Sequence, residues 1–212
     1  MNNPSLDLMQ FIEQQILPQY AQFDKAHQLS HANSVIKNSI EIANNLGANI
    51  DMAYVVAAYH DLGLSGPRAI HHITSGKILA ADKRLQKWFS TDEIRIMKEA
   101  VEDHRASSSR SPRSIYGKIV AEADRDLTPE VVIRRTIQFG LANYPEKDKE
   151  QHFQRLKAHL DEKYSVHGYI KLWIQQSPNQ TKLRQLHELI DNEPRLRELF
   201  ETIYKEETSV QQ

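Results

Sequence analysis

Residues 52–64 read MAYVVAAYHDLGL. The run of Ala and Val predicts a helix over about Met52 to Asp61, with Val55, Val56 and Tyr59 along it and a stop near Gly63. The helix thus ends on a His beside an Asp. Two readings fit these letters: a polar helix end, where His meets the dipole and Asp caps the next turn, or a working site. The rest of the chain has to separate them.

Working outward, apolar residues recur at spacings of three and four, Gly and Pro are scarce, and no useful length alternates with period two. The fold class is therefore all-α. A first helix runs from Leu6 to Leu17, ended near Pro18, and a second from Ser30 through Val35, Ile42 and Leu46 to a stop at Gly47. A fourth covers about Ile70 to Ala81. The fifth opens at Ser90 or Thr91 with Glu93 in its first turn, carries Ile94, Met97 and Val101, and ends at about His104. Arg105 to Ser114, RASSSRSPRS, reads as a loop, followed by a helix from Ile115 to Leu127. Beyond Pro129 further helices carry Val132 and Phe139, then Phe153, Leu156 and Leu160, then Tyr169 to Ile174, then a pair through Leu183 to Tyr204, with a disordered tail from Glu206. The whole is expected to be a single compact helical domain over 1–212, with a core at about 20–130 and a C-terminal helical extension at about 131–206.

Composition narrows the chemistry. With no cysteine, thiolate metal sites and disulfides are excluded, so a metal would be held by His, Asp, Glu or water. A formal charge of -1 argues against a surface built for nucleic acid. No apolar run approaches the ~20 residues of a membrane span, and the N-terminus lacks the basic start and apolar centre of a signal peptide; a cytoplasmic protein is expected.

Ten histidines are the compositional oddity, and several face inward. His31 stands four before Val35 and fifteen before Leu46, which at about 100° per residue puts it on the buried stripe. His104 continues the stripe of Ile94, Met97 and Val101, and Asp124 follows Val120 and Tyr116 at spacings of four and eight. A buried carboxylate without a partner costs several kcal/mol. A shared divalent cation would remove that cost for all these groups at once.

In order along the chain, AHQLSHANSVI, AAYHDLGL, HHITSGKIL, VEDHR and AEADRDL resemble the HD-domain superfamily of metal-dependent phosphohydrolases over about residues 20 to 130. The similarity is closest to bacterial HD hydrolases with an HH…S segment and an ADRD-like segment. The resemblance implies a divalent metal held by His31, His60, Asp61 and Asp124, its identity open among Mn, Fe, Mg, Co, Ni and Zn. It implies a phosphate ester as substrate, a nucleotide in particular, attacked by metal-bound water or hydroxide. In two-metal relatives the later histidines join, here His72, or its neighbour His71, and His104. Otherwise His72 or His104 would act beside Asp61 as an acid or base without metal; for a given histidine these roles exclude each other. His27 reads as support for His31 rather than as a ligand.

Arg105, Arg110 and Arg113, with Lys118 beyond them, lie between His104 and Asp124 and could clamp a phosphate, or be solvated loop charges. Two rival functions stay open: a non-catalytic metal- and nucleotide-binding regulatory module, and nucleic-acid binding through the Arg-rich loop. No GYP element of cyclic dinucleotide phosphodiesterases is present. Monomer and homodimer are both compatible with the sequence.

Overall fold

A computed structural model describes residues 2–23, 28–105 and 110–209. Among the described residues there are ten α-helices and no strand, in keeping with the all-α reading. Backbone contacts divide the chain into two compact units, one up to Arg125 and one from Asp126 onward.

In the first unit α3 (Ile50–Tyr59) is the central element. Every residue from Met52 to Tyr59 is buried, as expected of a helix whose side chains are apolar all round. It starts where Asn49 Oδ1 accepts the Met52 N–H. Around it lie α1 (Leu6–Gln15), α2 (Leu29–Leu46), α4 (His71–Ala81), α5 (Thr91–Glu102) and α6 (Ile115–Ala123). Helix α2 buries Ala32, Val35, Ile36, Ser39, Ile42 and Ala43, and stops because Gly47 adopts the left-handed region at φ 63°. Ser90 and Glu93 form a capping box that starts α5. A short 3-10 segment, Leu17–Gln22, follows α1.

In the second unit α7 (Pro129–Asn143), α8 (Lys149–Tyr164), α9 (Pro178–Ile190) and α10 (Glu193–Ser209) bury their own core around Phe153, Leu156, Leu186 and Phe200. The stretch from Tyr169 to Ile174 is not helical. After α8 the chain folds back, with the Tyr169 and Ile170 amides donating to the Glu162 and Lys163 carbonyls. Ile170 and Ile174 are both buried, so a spacing of four arose from two anchors of a loop rather than from a helix turn. The expected disorder from Glu206 does not hold up to Ser209, because Arg134 on α7 binds Glu206 and Glu207 and keeps α10 running. Residues 210–212 lie outside the described residues.

Candidate metal centre

Three histidines are set by one local device. Helix α3 ends at Tyr59, and the His60 ring places Nδ1 2.7 Å from the Ala57 carbonyl, three residues back. His104, just past α5, places Nδ1 2.6 Å from the Val101 carbonyl, and His71, opening α4, places Nδ1 2.8 Å from the Arg68 carbonyl. A carbonyl can only accept, so each Nδ1 carries the proton and a neutral ring presents Nε2 as a bare lone pair. Asp61 leaves the helix at φ -111°, ψ 4° and a 3-10 turn, Leu62–Ser65, follows. That turn lies against α4 so closely that a Cβ on Gly63 would stand 2.1 Å from the His71 carbonyl oxygen. The Gly63 N–H donates to the buried Ser75 Oγ at 2.8 Å.

The lone pairs converge. His31 Nε2 lies 3.2 Å from His60 Nε2, 3.1 Å from Asp124 Oδ1 and 3.6 Å from Asp61 Oδ2. His60 Nε2 lies 3.3 Å from Asp61 Oδ2 and 3.7 Å from Asp124 Oδ1. On the other oxygen of Asp61, His71 Nε2 is at 3.4 Å and His104 Nε2 at 3.6 Å, with 3.1 Å between the two nitrogens. Donors bound at about 2.0–2.2 Å to one ion stand about 2.8–3.6 Å apart. Both groups, His31 with His60 and Asp124, and Asp61 with His71 and His104, therefore have the spacing and donor chemistry to hold a divalent cation. Asp61 links them, one oxygen to each.

The HD domain family model matches residues 29–128, which include all six of these residues. The chain carries an HD domain. Among solved structures, that of a predicted HD superfamily hydrolase from an uncultured Thermotogales bacterium is similar at 22% identity, covering 76% of this chain and 90% of its own, with a TM-score of 0.49. No curated protein matches the sequence. No helix among the described residues is long and apolar enough to cross a membrane.

The electrostatics of the HD domain's centre call for positive charge. Burial opposes ionisation of Asp61, yet His60, His31 and His104 outweigh it and hold the carboxyl below the usual range. Asp124 is likewise held low, burial being overcome by His31 and His60. For His31 burial disfavours the charged ring, but hydrogen bonds to Asp124 and Asp61 prevail and raise it to about 9. His104 goes the other way: burial and the nearby His60 lower it to about 4. In the metal-free protein protons thus supply part of the charge that the carboxylates require, and His104 stays neutral.

Of the residues expected from the sequence, His31, His60, Asp61, Asp124 and His104 come together. His72 does not join them. Its neighbour His71 faces Asp61 and His104 instead, because successive side chains diverge by about 100° and the 3-10 turn Arg68–Ile70 sets where α4 begins. His72 Nδ1 is buried without a hydrogen-bond partner, and burial together with Arg105 lowers its pKa. Arg105 Nη1 donates to the Ala69 carbonyl at 2.8 Å. Arg113 is engaged elsewhere than at the centre: its guanidinium binds Asp103, Glu102 and the Glu99 carbonyl at 2.9–3.1 Å. Its fork had better partners in the carboxylates at the end of α5 than in a ligand. Arg110 is exposed and Lys118 is half-buried on α6. His27, expected to support His31, lies outside the described residues, as do residues 106–109. Ser75, the Ser of the HH…S segment, sits under Gly63, and one supporting group went unread in the sequence, the buried Tyr20, whose hydroxyl reaches Ala58 and Asp61.

Proposed function

We propose that this HD domain is a metal-dependent phosphohydrolase acting on a phosphate ester, with a nucleotide as the substrate class. The observation that carries the proposal is the pair His71 and His104. With both Nδ1 atoms spent on carbonyls, two bare Nε2 atoms stand 3.1 Å apart beside a carboxylate oxygen. Lone pairs so placed repel unless a proton or a metal ion lies between them, and a shared metal ion satisfies both rings and the carboxylate at once. In this reading His31, His60, Asp61 and Asp124 hold one divalent ion, and Asp61, His71 and His104 hold a second.

Such an ion supplies Lewis acidity toward a phosphoryl oxygen and lowers the pKa of water near neutrality. The chain's own residues do the rest. Asp61 joins the two sets through its two oxygens. The i to i−3 bonds of His60, His71 and His104 keep the rings from turning, so the donor geometry exists before the ligand arrives. Arg105 and Arg110 meet the charge of the phosphoryl group, with Lys118 beyond them on α6. His72, outside the ligand set and held neutral by burial and Arg105, accepts a proton from or returns one to the reacting oxygens. The nucleotide class rests on the family resemblance.

The test is turnover. Protein stripped of metal and reloaded singly with Mn, Mg, Co, Ni, Zn or Fe ions is assayed on a panel of phosphomonoesters, phosphodiesters and nucleotides, beside His60→Ala and Asp61→Ala. The proposal expects activity in the loaded wild type and its loss in both variants. Activity that survives both substitutions refutes the mechanism, and a metal-loaded wild type silent on the panel favours a non-catalytic binding module.

A further inference from the structure

We propose that Tyr20 is a positioning residue for the metal centre, holding His60 and Asp61 in register from a segment that precedes the HD domain match; this rests on the reading of those two residues as ligands. Were α3 to continue, the Asp61 N–H would donate to the Ala57 carbonyl. That carbonyl is taken by the His60 ring at 2.7 Å. The Asp61 N–H turns instead to Tyr20 Oη at 3.4 Å, and the same hydroxyl donates to the Ala58 carbonyl at 3.0 Å. One phenol therefore closes two backbone groups that the end of the helix leaves open. By doing so it leaves Ala57 free to fix the His60 ring.

Tyr20 is suited to the task because it is itself immobile. It is fully buried in the 3-10 segment Leu17–Gln22, its ring meets Phe23 edge-on at 5.4 Å between centroids, and it lies 6.4 Å from the His60 ring. Residue 20 falls outside the matched residues 29–128. The centre is thus completed by chain that the HD domain match does not include.

Tyr20→Phe removes only the hydroxyl. Tyr59→Phe is the control: it deletes the hydroxyl of an equally buried residue next to His60, but one that donates to Asp82 at 2.7 Å in a less buried place. Three readings decide the matter. In the wild type the Asp61 amide should exchange with solvent as slowly as the amides inside α3; exchange at the rate of an open turn overturns the proposal, whatever the variants do. In metal-free protein, at a pH high enough to leave His60 neutral despite the raising effect of Asp61 and Asp124, ring nitrogen NMR of His60 should show a single Nδ1–H tautomer, mixed in Tyr20→Phe and intact in Tyr59→Phe. Co2+ affinity should fall about tenfold in Tyr20→Phe and stay within twofold in Tyr59→Phe, the size typical of losing a group that orients a ligand. A Tyr20→Phe protein with wild-type ring signals, or a Tyr59→Phe protein that moves as far, overturns it. If the wild type binds no Co2+, the metal reading fails, and the exchange and ring-nitrogen results still decide whether Tyr20 positions His60.

Discussion

Gly63→Ala tests the packing that brings Asp61 to His71. An added Cβ would stand 2.1 Å from the His71 carbonyl oxygen, 2.7 Å from the Ser75 amide nitrogen and 2.9 Å from Ser75 Oγ. The first two are backbone atoms, so no side chain can swing aside, and the turn must lift off α4 by more than about 1 Å to reach ordinary contact. Overpacking of this kind costs about 1–3 kcal/mol. The shift also breaks the buried Gly63 to Ser75 hydrogen bond, worth a further ~1–3 kcal/mol when the groups are left unpaired. A loss of about 4 kcal/mol is expected, read as a lower urea midpoint at unchanged slope and a Tm drop of roughly 8–16 °C. Gly66→Ala, in the same turn, is the matched control. Its Cβ would meet nothing nearer than the Gly63 carbonyl at 3.6 Å, on extended backbone at φ -122°, so its stability should stay within about 1 kcal/mol of the wild type. Gly63→Ala within 1 kcal/mol of the wild type, or Gly66→Ala equally destabilised, would refute the reasoning.

Because each oxygen of Asp61 faces a different group, Asp61→Asn should impair both cation sites, whereas Asp124→Asn should weaken the His31–His60 site and His71→Ala the Asp61–His104 site, all read by metal titration and stoichiometry. His72→Ala should leave cation affinity unchanged and lower turnover. In the metal-free protein His31, raised to about 9, is protonated at pH 7, so cation binding should expel about one proton from it there and tighten as pH rises toward 9, measured with a pH dye in weak buffer. The sign for folding runs opposite. His31's contribution to metal-free stability is complete below its ordinary 6.5 and lost as pH rises through about 9. The depressed Asp61 and Asp124 contribute above their ordinary 3.8 and lose that contribution as pH falls below it. Arg113→Ala should cost about 1 kcal/mol, since the pair is well over a third exposed on the Arg side, and should not change cation affinity.

How far the sequence was legible depended on whether a residue's role followed from its own helix. His31 and Asp124 could be placed because each continues an apolar stripe, and the stop of α2 and the start of α5 were written in Gly47 and in Ser90 with Glu93. Choosing His71 over His72 needed the start of α4 to within one residue, and a 3-10 turn sets that start. Tyr20 was invisible because a lone phenol in a 3-10 segment has no periodic signal and its acceptor lies 38 residues on. Arg113 read as a phosphate clamp because sequence shows a cation beside a ligand but not the carboxylates of Asp103 and Glu102 that take it first. The stretch from Tyr169 to Ile174 mimicked a helix through two buried isoleucines that serve as loop anchors.

The most direct measurement is a titration of metal-free protein with Mn2+ or Co2+, followed by anomalous X-ray scattering from crystals of the loaded form. The account predicts ion density among His31, His60, Asp61 and Asp124, a second peak among Asp61, His71 and His104, and loss of both in Asp61→Asn. No binding at millimolar cation, or density that persists unchanged in Asp61→Asn, would contradict it.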